Sequence, residues 1–516
     1  MATRKDQLDA FVFARRRMVS NLVAPSPTGS DEAAPRPVKT FFTSAILSAI
    51  AVAAVVVLGV FKPSAPSGWQ NGLAVDSTSG ASYIYSAQDK ELHPVVNITS
   101  AKLILGGNFK KYDVPDNVIH GTSETIGAPF GILAAPPDVP TASNVDLTQW
   151  SLCVQAKNPA DPTQAGGRTV LEIGYGAGGD SLVSGVSGFV VHDSQNGNYL
   201  IVGDYEYPVV SDNGPLNALT GTPVSPGAPQ GPWVSSTWLS AFQPGTRITF
   251  PTVAGLGDPL PASLQNQPGA RVGDYGQVTD ANGVQSNYIE TENGLVSVSP
   301  LVYKLYTFGP QLALHGIKQM SISPSQASLA GSKDEVAAPS DLIGAGPDWP
   351  QKTVLPIDYD GKQPNVSVFC AGFTGGKFDT SGNPSLSLYY GSDLPHPLAS
   401  GAGLAQSGGA LAGGSLADVV YVKPGHAILA RAVSGGQSAD SGAVYLVPDT
   451  GTSYPLAGEE QITGADGKQT KTSAAGQLQY TNVAVQAVPQ SWVQLIQTGP
   501  VLDPIKAGET PQLPGQ

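Results

Sequence analysis

The sequence predicts an α+β protein that is mostly β and that carries a single N-terminal transmembrane helix. Three observations lead to this prediction. The 516 residues include 61 glycines and 44 prolines, and only 13% are charged, which favours short strands joined by turns over long helices. Residues 41–61 form a run without charge. A tyrosine-led hairpin pattern recurs beyond that run, and a chain of this length is expected to form more than one core.

The segment before the uncharged run is basic and has helical spacing. Residues 8–22 place apolar side chains on one helical face, with Arg15 on that face and Arg16 and Arg17 beside it. Such a helix either lies on anionic lipid or docks on a cytosolic partner. The alternative is that the arginines only set the membrane topology. Residues 24–37 have the composition of a flexible linker.

The run from Phe41 to Phe61 is predicted to cross the membrane. About 20 apolar residues in a helix span the hydrocarbon core, and the polar side chains in this run are hydroxyls. A cleavable signal peptide fits less well, because the preceding flank is long, the run exceeds the usual ~7–15 residues and no A-x-A site follows. Basic residues concentrate before the run, so the N-terminus is predicted to be cytoplasmic and residues 62–516 extracytoplasmic.

Charge is distributed unevenly along the chain. The formal net charge is −13, although residues 1–62 contain eight basic and only four acidic residues. The remainder is therefore strongly acidic. Because phosphate binding needs clustered Lys or Arg, this main body is not expected to bind nucleic acid.

The hairpin pattern predicts a set of small antiparallel sheets. Residues 83–95, 199–209 and 445–456 each begin with a tyrosine-led strand, continue through a turn and end in an aromatic residue followed by proline. A weaker copy without the proline starts at Tyr288. Proline cannot donate to a strand ladder, so it is expected to mark a strand end or a sheet edge.

A second pattern occurs twice, as "VSSTWLSAFQPG" and "VPQSWVQLIQTG". In both strings a glycine follows the tryptophan by seven residues, at Gly245 after Trp238 and at Gly499 after Trp492. The apolar spacing predicts a short amphipathic helix closed by glycine at its C-terminal end. Together with the recurring hairpins, this pattern indicates two related halves.

The chain has two cysteines, Cys153 in "WSLCVQ" and Cys370 in "VSVFCAGF", each within an apolar, strand-like run. One alternative is a pair of buried free thiols. In an oxidising compartment a disulfide is favoured, and on the chain-entropy model such a bond would contribute on the order of 4 to 5 kcal/mol. It would connect the first half of the outer region to the second.

The chain resembles the EccB family in the order of five features. These are the basic N-terminal helix, the apolar run, the block "YIYSAQDKELHPVVNITSAKLIL", the two lone cysteines and the closing "PVLDP". The strings "WSLC", "VKPGHAILAR" and "VPQSWVQLIQTGPVLDP" stand where that family has similar strings. EccB proteins are membrane-anchored components of actinobacterial type VII (ESX) secretion systems. The resemblance covers nearly the whole chain.

The resemblance implies an elongated extracytoplasmic region of four small repeat modules around a central, disulfide-linked, β-rich core. The disulfide maps onto Cys153 and Cys370, and the modules begin near Tyr83, Tyr199, Tyr288 and Tyr445. The expected boundaries are 1–40 for the cytoplasmic helix and linker, 41–61 for the membrane span, 62–135, 186–262, 263–335 and 437–502 for modules one to four, 136–185 and 336–436 for the two parts of the core, and 503–516 for a disordered tail.

The same resemblance implies a structural subunit whose outer domain dimerises or oligomerises and that assembles with EccC, EccD and EccE. Family repeats are similar to the wall-binding subunit of a phage lysin, so a peptidoglycan-binding anchor is one alternative. The family is also often labelled an ATPase, which is the second alternative.

Motifs for catalysis, cofactors and metals are weak in this sequence. The string from Gly372 to Lys377 has one spacer too few for a phosphate-binding loop and lacks the final Ser or Thr. Asp358 to Gly361 matches only a fragment of a calcium loop, and the six histidines show no metal-ligand spacing. The sequence therefore predicts no catalytic residue, no cofactor and no metal site.

Overall fold

The computed structural model describes residues 3–23, 37–60, 65–121, 125–176, 187–210, 214–221, 225, 228, 230–261, 268–280, 282–329, 342–352, 354–356, 367–378, 384–396, 404–405, 416–434, 440–463 and 469–511. The chain divides into two compact units. One comprises Met1–Trp69, Asp76–Ser79 and Asp113–Thr122, and the other comprises Gln70–Val75, Gly80–Tyr112 and Ser123–Gln516.

Apart from two long helices near the N-terminus, the helices of both units are short, as expected for a chain rich in glycine and proline. In chain order the helices are α1 (Arg4–Val23), α2 (Pro37–Val60), α3 (Ile98–Leu105), α4 (Asp116–Ile119), α5 (Gly214–Thr220), α6 (Ser236–Leu239), α7 (Pro300–Thr307), α8 (Gln311–His315), α9 (Pro324–Leu329), α10 (Ala474–Gln477), α11 (Gln490–Val493) and α12 (Pro504–Ala507).

The strands follow the predicted short lengths. In chain order they are β1 (Leu73–Asp76), β2 (Ser82–Ser86), β3 (Glu91–Pro94), β4 (Lys111–Val114), β5 (Thr125–Ile126), β6 (Gln149–Gln155), β7 (Arg168–Ile173), β8 (Ser187–His192), β9 (Asn198–Val202), β10 (Tyr205–Pro208), β11 (Gln243–Pro244), β12 (Thr252–Val253), β13 (Tyr275–Thr279), β14 (Gln285–Thr291), β15 (Gly294–Val298), β16 (Leu342–Ile343), β17 (Leu355–Pro356), β18 (Val368–Phe378), β19 (Pro384–Gly391), β20 (Leu404–Ala405), β21 (Val419–Val422), β22 (Ala427–Val433), β23 (Val444–Pro448), β24 (Tyr454–Pro455), β25 (Glu460–Thr463), β26 (Gln469–Thr472) and β27 (Gln486–Pro489).

The first unit contains the two long N-terminal helices. Helix α1 agrees with the helix predicted over residues 8–22. Helix α2 contains residues 41–60 of the predicted membrane span, whereas Phe61 lies outside the described residues. Within the described part of the chain, no helix combines the length and the apolarity required to cross a membrane.

A six-stranded sheet forms the centre of the second unit, in the order β19–β18–β6–β7–β21–β20. Its strands come from two distant parts of the sequence, because β6 and β7 precede residue 174 and β18 to β21 follow residue 367. Side chains alternate between its two faces. One face carries Trp150, Leu152 and Leu171 into the largest apolar cluster, and the other carries Cys153 and Cys370 into a smaller one.

Four three-stranded antiparallel units, called hairpin sheets below, occupy the positions of the predicted hairpins: β1–β2–β3, β8–β9–β10, β13–β14–β15 and β22–β23–β24. In three of them the leading tyrosine pairs across the ladder with the proline, and the proline ends its strand as predicted. In the third sheet a serine takes the place of the proline. The cross-strand pairs are Tyr83 with Pro94, Tyr199 with Pro208, Tyr288 with Ser297 and Tyr445 with Pro455.

Shared apolar clusters link the hairpin sheets to one another. Leu103 of α3, which follows the first sheet, shares one apolar cluster with Leu446 of the fourth sheet. Leu200 of the second sheet shares another with Ile289 of the third. The second and fourth sheets are also linked, because Phe189 and Val447 both belong to the largest apolar cluster.

The structure corrects two boundaries. The fourth sheet takes its first strand from β22, predicted to belong to the core region 336–436, because β22 pairs with β23 whereas β21 pairs with β7 of the central sheet. The prediction of a disordered tail over residues 503–516 is wrong for residues 503–511. Asp503 caps α12 by accepting the N–H of Ile505, and Ala507 is fully buried. Residues 512–516 lie outside the described residues.

The two tryptophan motifs also differ from their prediction. Each forms only a single helical turn, α6 and α11, and neither helix extends to the glycine. In the first motif the chain instead enters β11, which runs parallel to β10. The predicted glycine-closed helix is wrong because Gly245 and Gly499 are needed for another contact, described below.

Candidate functional site

The central sheet is cross-linked by the two cysteines. Cys153 on β6 lies directly opposite Cys370 on β18, with a Cα–Cα distance of 4.0 Å and the two sulfurs bonded. Both residues are fully buried. The bond connects positions 217 residues apart, so the two distant parts of the chain that build this sheet are joined covalently as well as by backbone hydrogen bonds.

The two tryptophans of the duplicated motif lie in the apolar cluster on the other face of this sheet. Trp238 and Trp492 are both fully buried in the largest apolar cluster. The Trp238 indole N–H donates to the Leu152 carbonyl of β6 at 3.1 Å. The Trp492 indole N–H donates to the carbonyl of Ala241 at 3.2 Å. The second motif therefore bonds to the first, and the first bonds to the sheet.

The glycines of these motifs lie against the aromatic ring of the tyrosine-proline pairs. A Cβ atom added to Gly245 would lie 2.4 Å from the Tyr207 ring, and one added to Gly499 would lie 2.4 Å from the Tyr454 ring. Both glycine amides also donate at 2.8 Å to the carbonyl of the residue before the ring. Only glycine allows this approach, so each tryptophan motif packs directly against its own hairpin sheet.

The first sheet contains a related contact with a different ring. Gly127 approaches His93, which precedes Pro94 as the tyrosines precede their prolines, and a Cβ at residue 127 would lie 2.6 Å from the imidazole. The Gly127 amide donates to the carbonyl of Leu92 at 3.0 Å. The sequence did not reveal this correspondence, because no tryptophan motif precedes Gly127.

A buried carboxyl lies on the disulfide face of the sheet. Glu172 on β7 is fully buried, and burial raises its pKa to about 7. One carboxyl oxygen accepts the backbone N–H of His396 at 3.1 Å, and the other has no hydrogen-bond partner among the described residues. The His396 ring stacks on Tyr175 with centroids 4.4 Å apart. No pattern in the sequence distinguishes Glu172 from the other acidic residues.

Two groups of side chains have the composition of cation ligands. Asp89, Glu91 and His93 form one group, and the ligand atoms of its members lie within 4.8 Å of one another. Asp76, Asp116 and His120 form the other, under the same distance limit. The spacing of histidines to one another cannot reveal such sets, because carboxylates supply the remaining ligands.

A family comparison decides what the chain is related to. The model described as "Type VII secretion system ESX-1, transport TM domain B" matches residues 1–511. The chain belongs to this EccB family. The order of motifs that suggested the family is thereby confirmed over almost the whole sequence.

Curated EccB proteins cover most of the chain at low identity. The "ESX-3 secretion system ATPase EccB3" of Mycolicibacterium smegmatis is 26% identical over 493 residues, which is 90% of this chain and 85% of that protein. The protein of the same name from Mycobacterium tuberculosis is 23% identical over 458 residues, covering 86% of this chain and 78% of that protein.

Solved EccB structures share the fold. "Structure of EccB3 dimer from the ESX-3 core complex" matches with a TM-score of 0.61 and 21% identity, covering 85% of this chain and 99% of that one. "Structure of an intact ESX-5 inner membrane complex" contains a chain that matches with a TM-score of 0.61 and 19% identity, covering 98% of this chain and 95% of that one. These matches support the mixed α/β, mainly β architecture of the EccB chain.

The string that approximates a phosphate-binding loop lies inside a strand. Gly372 to Lys377 belong to β18, which pairs with β6 on one side and β19 on the other. The amide of Gly375 donates to the carbonyl of Thr148 at 2.7 Å. A phosphate loop needs free amides ahead of a helix, so this strand segment of the EccB chain does not have the position of such a loop.

The remaining predicted site residues are the three arginines of the first unit. Arg15, Arg16 and Arg17 are exposed on α1, as are the apolar residues Leu8 and Phe11 of the same helix. The predicted partner or membrane contact of these arginines stays a prediction. The Asp358–Gly361 string lies outside the described residues.

Proposed function

We propose that this EccB chain is a structural membrane subunit of a type VII secretion channel. Its extracytoplasmic region would dimerise or oligomerise to scaffold the outer side of the complex during protein export. The observation that carries the proposal is the family match over residues 1–511. Of the solved structures with this fold, one is an EccB3 dimer and another is an intact ESX-5 inner membrane complex.

The internal architecture supports a scaffold. The largest fully buried side chains of the protein include Trp150, Trp238 and Trp492, which connect the hairpin sheets to the central sheet. The disulfide then fixes that sheet at one of its central strand pairs. Such a body resists deformation when it is loaded by neighbouring subunits, since packed interiors have low compressibility.

The four hairpin sheets are proposed to be repeats of one module. Support comes from the common register of their leading tyrosines and from the ring-on-glycine contacts at Tyr207 and Tyr454. The single span is proposed to be residues 41–61, with the N-terminus in the cytoplasm. Apolar side chains such as Phe41, Ile46 and Ile50 are exposed on α2, as lipid contact requires.

The proposal is tested by purifying the tagged full-length chain from membranes that also contain its EccC, EccD and EccE partners. The wild-type chain is expected to retain them. Replacing Arg15, Arg16 and Arg17 by alanine should reduce the recovered partners several-fold, because it removes the basic surface of α1. The matched control is Arg4→Ala with Lys5→Ala, which removes positive charge from the first turn of the same helix and should leave recovery unchanged.

Two results would contradict the scaffold. Recovery of no partner by the wild-type chain would refute membership of a complex. A mass measurement that finds only monomers at concentrations of tens of micromolar would refute self-association.

The curated relatives carry the name ATPase, so nucleotide hydrolysis is the second candidate function. It is tested on the same purified chain with ATP and Mg²⁺. ATP turnover that co-purifies with the chain, and is absent from an identical preparation made from membranes that lack it, would favour the ATPase. No turnover by the purified chain would rule this candidate out.

A further inference from the structure

The tip of the first hairpin sheet concentrates two carboxylates and a histidine. Asp89 lies in the turn between β2 and β3, and Glu91 and His93 follow on β3. Residues two apart on a strand face the same side, so Glu91 and His93 project together toward the turn residue. The ligand atoms of the three side chains lie within 4.8 Å of one another.

The imidazole of His93 is held in one orientation from outside this group. The ring is buried and stacks on Phe130 with centroids 3.7 Å apart and planes within 6°. Its Nδ1 lies 2.7 Å from the carbonyl oxygen of Ala128. A carbonyl oxygen only accepts hydrogen bonds, so Nδ1 carries a proton and donates it.

That orientation directs Nε2 at a carboxylate. Nε2 lies 2.9 Å from Oδ2 of Asp89. In the neutral imidazole with a proton on Nδ1, Nε2 is an acceptor, and a carboxylate oxygen is also an acceptor. Two acceptors this close require a cation between them, either a proton or a metal ion. Histidines that bind metals typically donate their other N–H to a backbone carbonyl, as His93 does to Ala128.

A third ligand and a close-fitting loop complete the surroundings. Glu91, which is half-exposed, supplies a third oxygen or nitrogen donor within 4.8 Å of the other two. Gly127, just beyond β5, closes over the pair: a Cβ at this position would lie 2.5 Å from Oε2 of Glu91 and 2.6 Å from Cε1 of His93. The loop therefore approaches these two side chains as closely as backbone can.

The fold itself does not require a histidine at position 93. The corresponding positions before the proline carry Tyr207 in the second sheet and Tyr454 in the fourth, packed against Gly245 and Gly499 in the same way. The ligands at the first sheet are thus an addition to a shared framework.

We propose that Asp89, Glu91 and His93 bind one divalent cation of the zinc class. A nitrogen and two carboxylate ligands match the ligand preferences of Zn²⁺, and three protein ligands leave a fourth position open. Bound there, the ion would connect the β2–β3 turn to strand β3 and, through His93, to the loop that contains Ala128 and Phe130.

The full-length chain is purified without a histidine tag and stripped of metal with a chelator. Zn²⁺ is then titrated into it, and Co²⁺, which absorbs visible light when bound, is titrated separately. Wild type is expected to bind with a Co²⁺ spectrum of mixed nitrogen and oxygen ligation. Asp89→Asn and Glu91→Gln should each weaken the site at least tenfold, and His93→Tyr should remove one equivalent. Tyrosine occupies the corresponding position in two other sheets, so this variant is expected to fold.

The matched control is His426→Gln. His426 also faces a single carboxylate, with Nδ1 2.7 Å from Oδ1 of Asp146, but belongs to neither three-ligand group. This control should keep the full number of equivalents. The proposal is overturned if wild type binds no Zn²⁺, or if His93→Tyr, with an unchanged circular dichroism spectrum, binds as many equivalents as wild type. An adventitious surface ion would give that second result.

Discussion

Glu172 carries a buried carboxyl group. Only one of its two oxygens has a hydrogen-bond partner among the described residues. One carboxyl oxygen accepts the backbone N–H of His396, and desolvation raises the pKa of the group from about 4.5 to about 7. The unfolded chain releases this proton near pH 4.5 and the folded chain releases it near pH 7. Between these values the folded state binds more protons, so stability falls as pH rises.

Glu172→Gln is expected to remove this dependence. The wild-type free energy of unfolding should decrease by about 3 kcal/mol between about pH 4.5 and about pH 8 on account of this group, whereas the amide has no proton to release. The measurement is urea denaturation of both proteins at the two pH values. Glu459→Gln, at an exposed carboxylate, is the control. An unchanged pH dependence in Glu172→Gln would mean that the carboxyl is solvated in the folded protein.

At the scale of the element, helix α12 fastens the end of the described chain. Asp503 accepts the N–H of Ile505 at 2.8 Å, Ala507 is buried in the cluster that also contains Leu103 of α3, and the carbonyl of Glu509 accepts the N–H of Gly131 at 3.3 Å. These contacts join the last turn of helix to the region after the first sheet.

Truncation after Leu502 should therefore destabilise the first and fourth sheets. We expect a loss of about 2 to 3 kcal/mol, from one helix cap and the apolar surface that α12 covers. The measurement is thermal unfolding together with limited proteolysis around α3. Truncation after Pro511 removes only residues 512–516 and should behave as wild type. Equal melting temperatures for the two truncations would show that α12 contributes nothing.

The sequence predicted local elements better than their partners. Alternation and turn residues were sufficient for the hairpins at Tyr83, Tyr199 and Tyr445, because both strands of a hairpin are encoded side by side. The tail was missed because its prolines suggested disorder, while its stability comes from a cluster that includes the distant Leu103. The prediction made helices α6 and α11 too long, because the glycines that follow them are typical of a helix end. In the structure these glycines contact the tyrosine rings instead.

At the scale of the whole molecule, the disulfide restrains a loop of 217 residues. In the chain-entropy model, closing a loop of this length lowers the entropy of the unfolded chain, which raises the free energy of unfolding by about 5 kcal/mol. The β6–β18 ladder is expected to persist without the bond, since its pairing extends over seven residue pairs.

The Cys153→Ser, Cys370→Ser double variant should fold and lose roughly 2 to 5 kcal/mol of stability. Chemical denaturation measures the loss, and a reductant should lower wild type to the level of the variant without affecting the variant itself. If oxidised wild type and the double variant unfold at the same denaturant concentration, the bond makes no contribution.

Part of this architecture was accessible from the sequence and part was not. The position of both cysteines in strand-like runs favoured their pairing. The apolar clusters that link the sheets were not predictable, because Leu200 shares a cluster with Ile289, and Leu103 with Leu446, through surfaces that carry no periodic signal. The proposed cation site at His93 could not be anticipated from the sequence, because the ring is oriented by contacts with the Ala128–Phe130 loop, which the spacing of histidines does not reveal.

The bond from Trp492 to Ala241 spans 251 residues of sequence, and this has a consequence for the timing of folding. During synthesis, the ring of Trp150 and the carbonyl of Ala241 stay without the Trp492 indole until the chain is nearly complete. Non-local contacts of this kind form slowly. The newly made protein is therefore expected to pass through a period in which part of its largest apolar cluster is open, and exposed apolar surface of this kind is prone to aggregation.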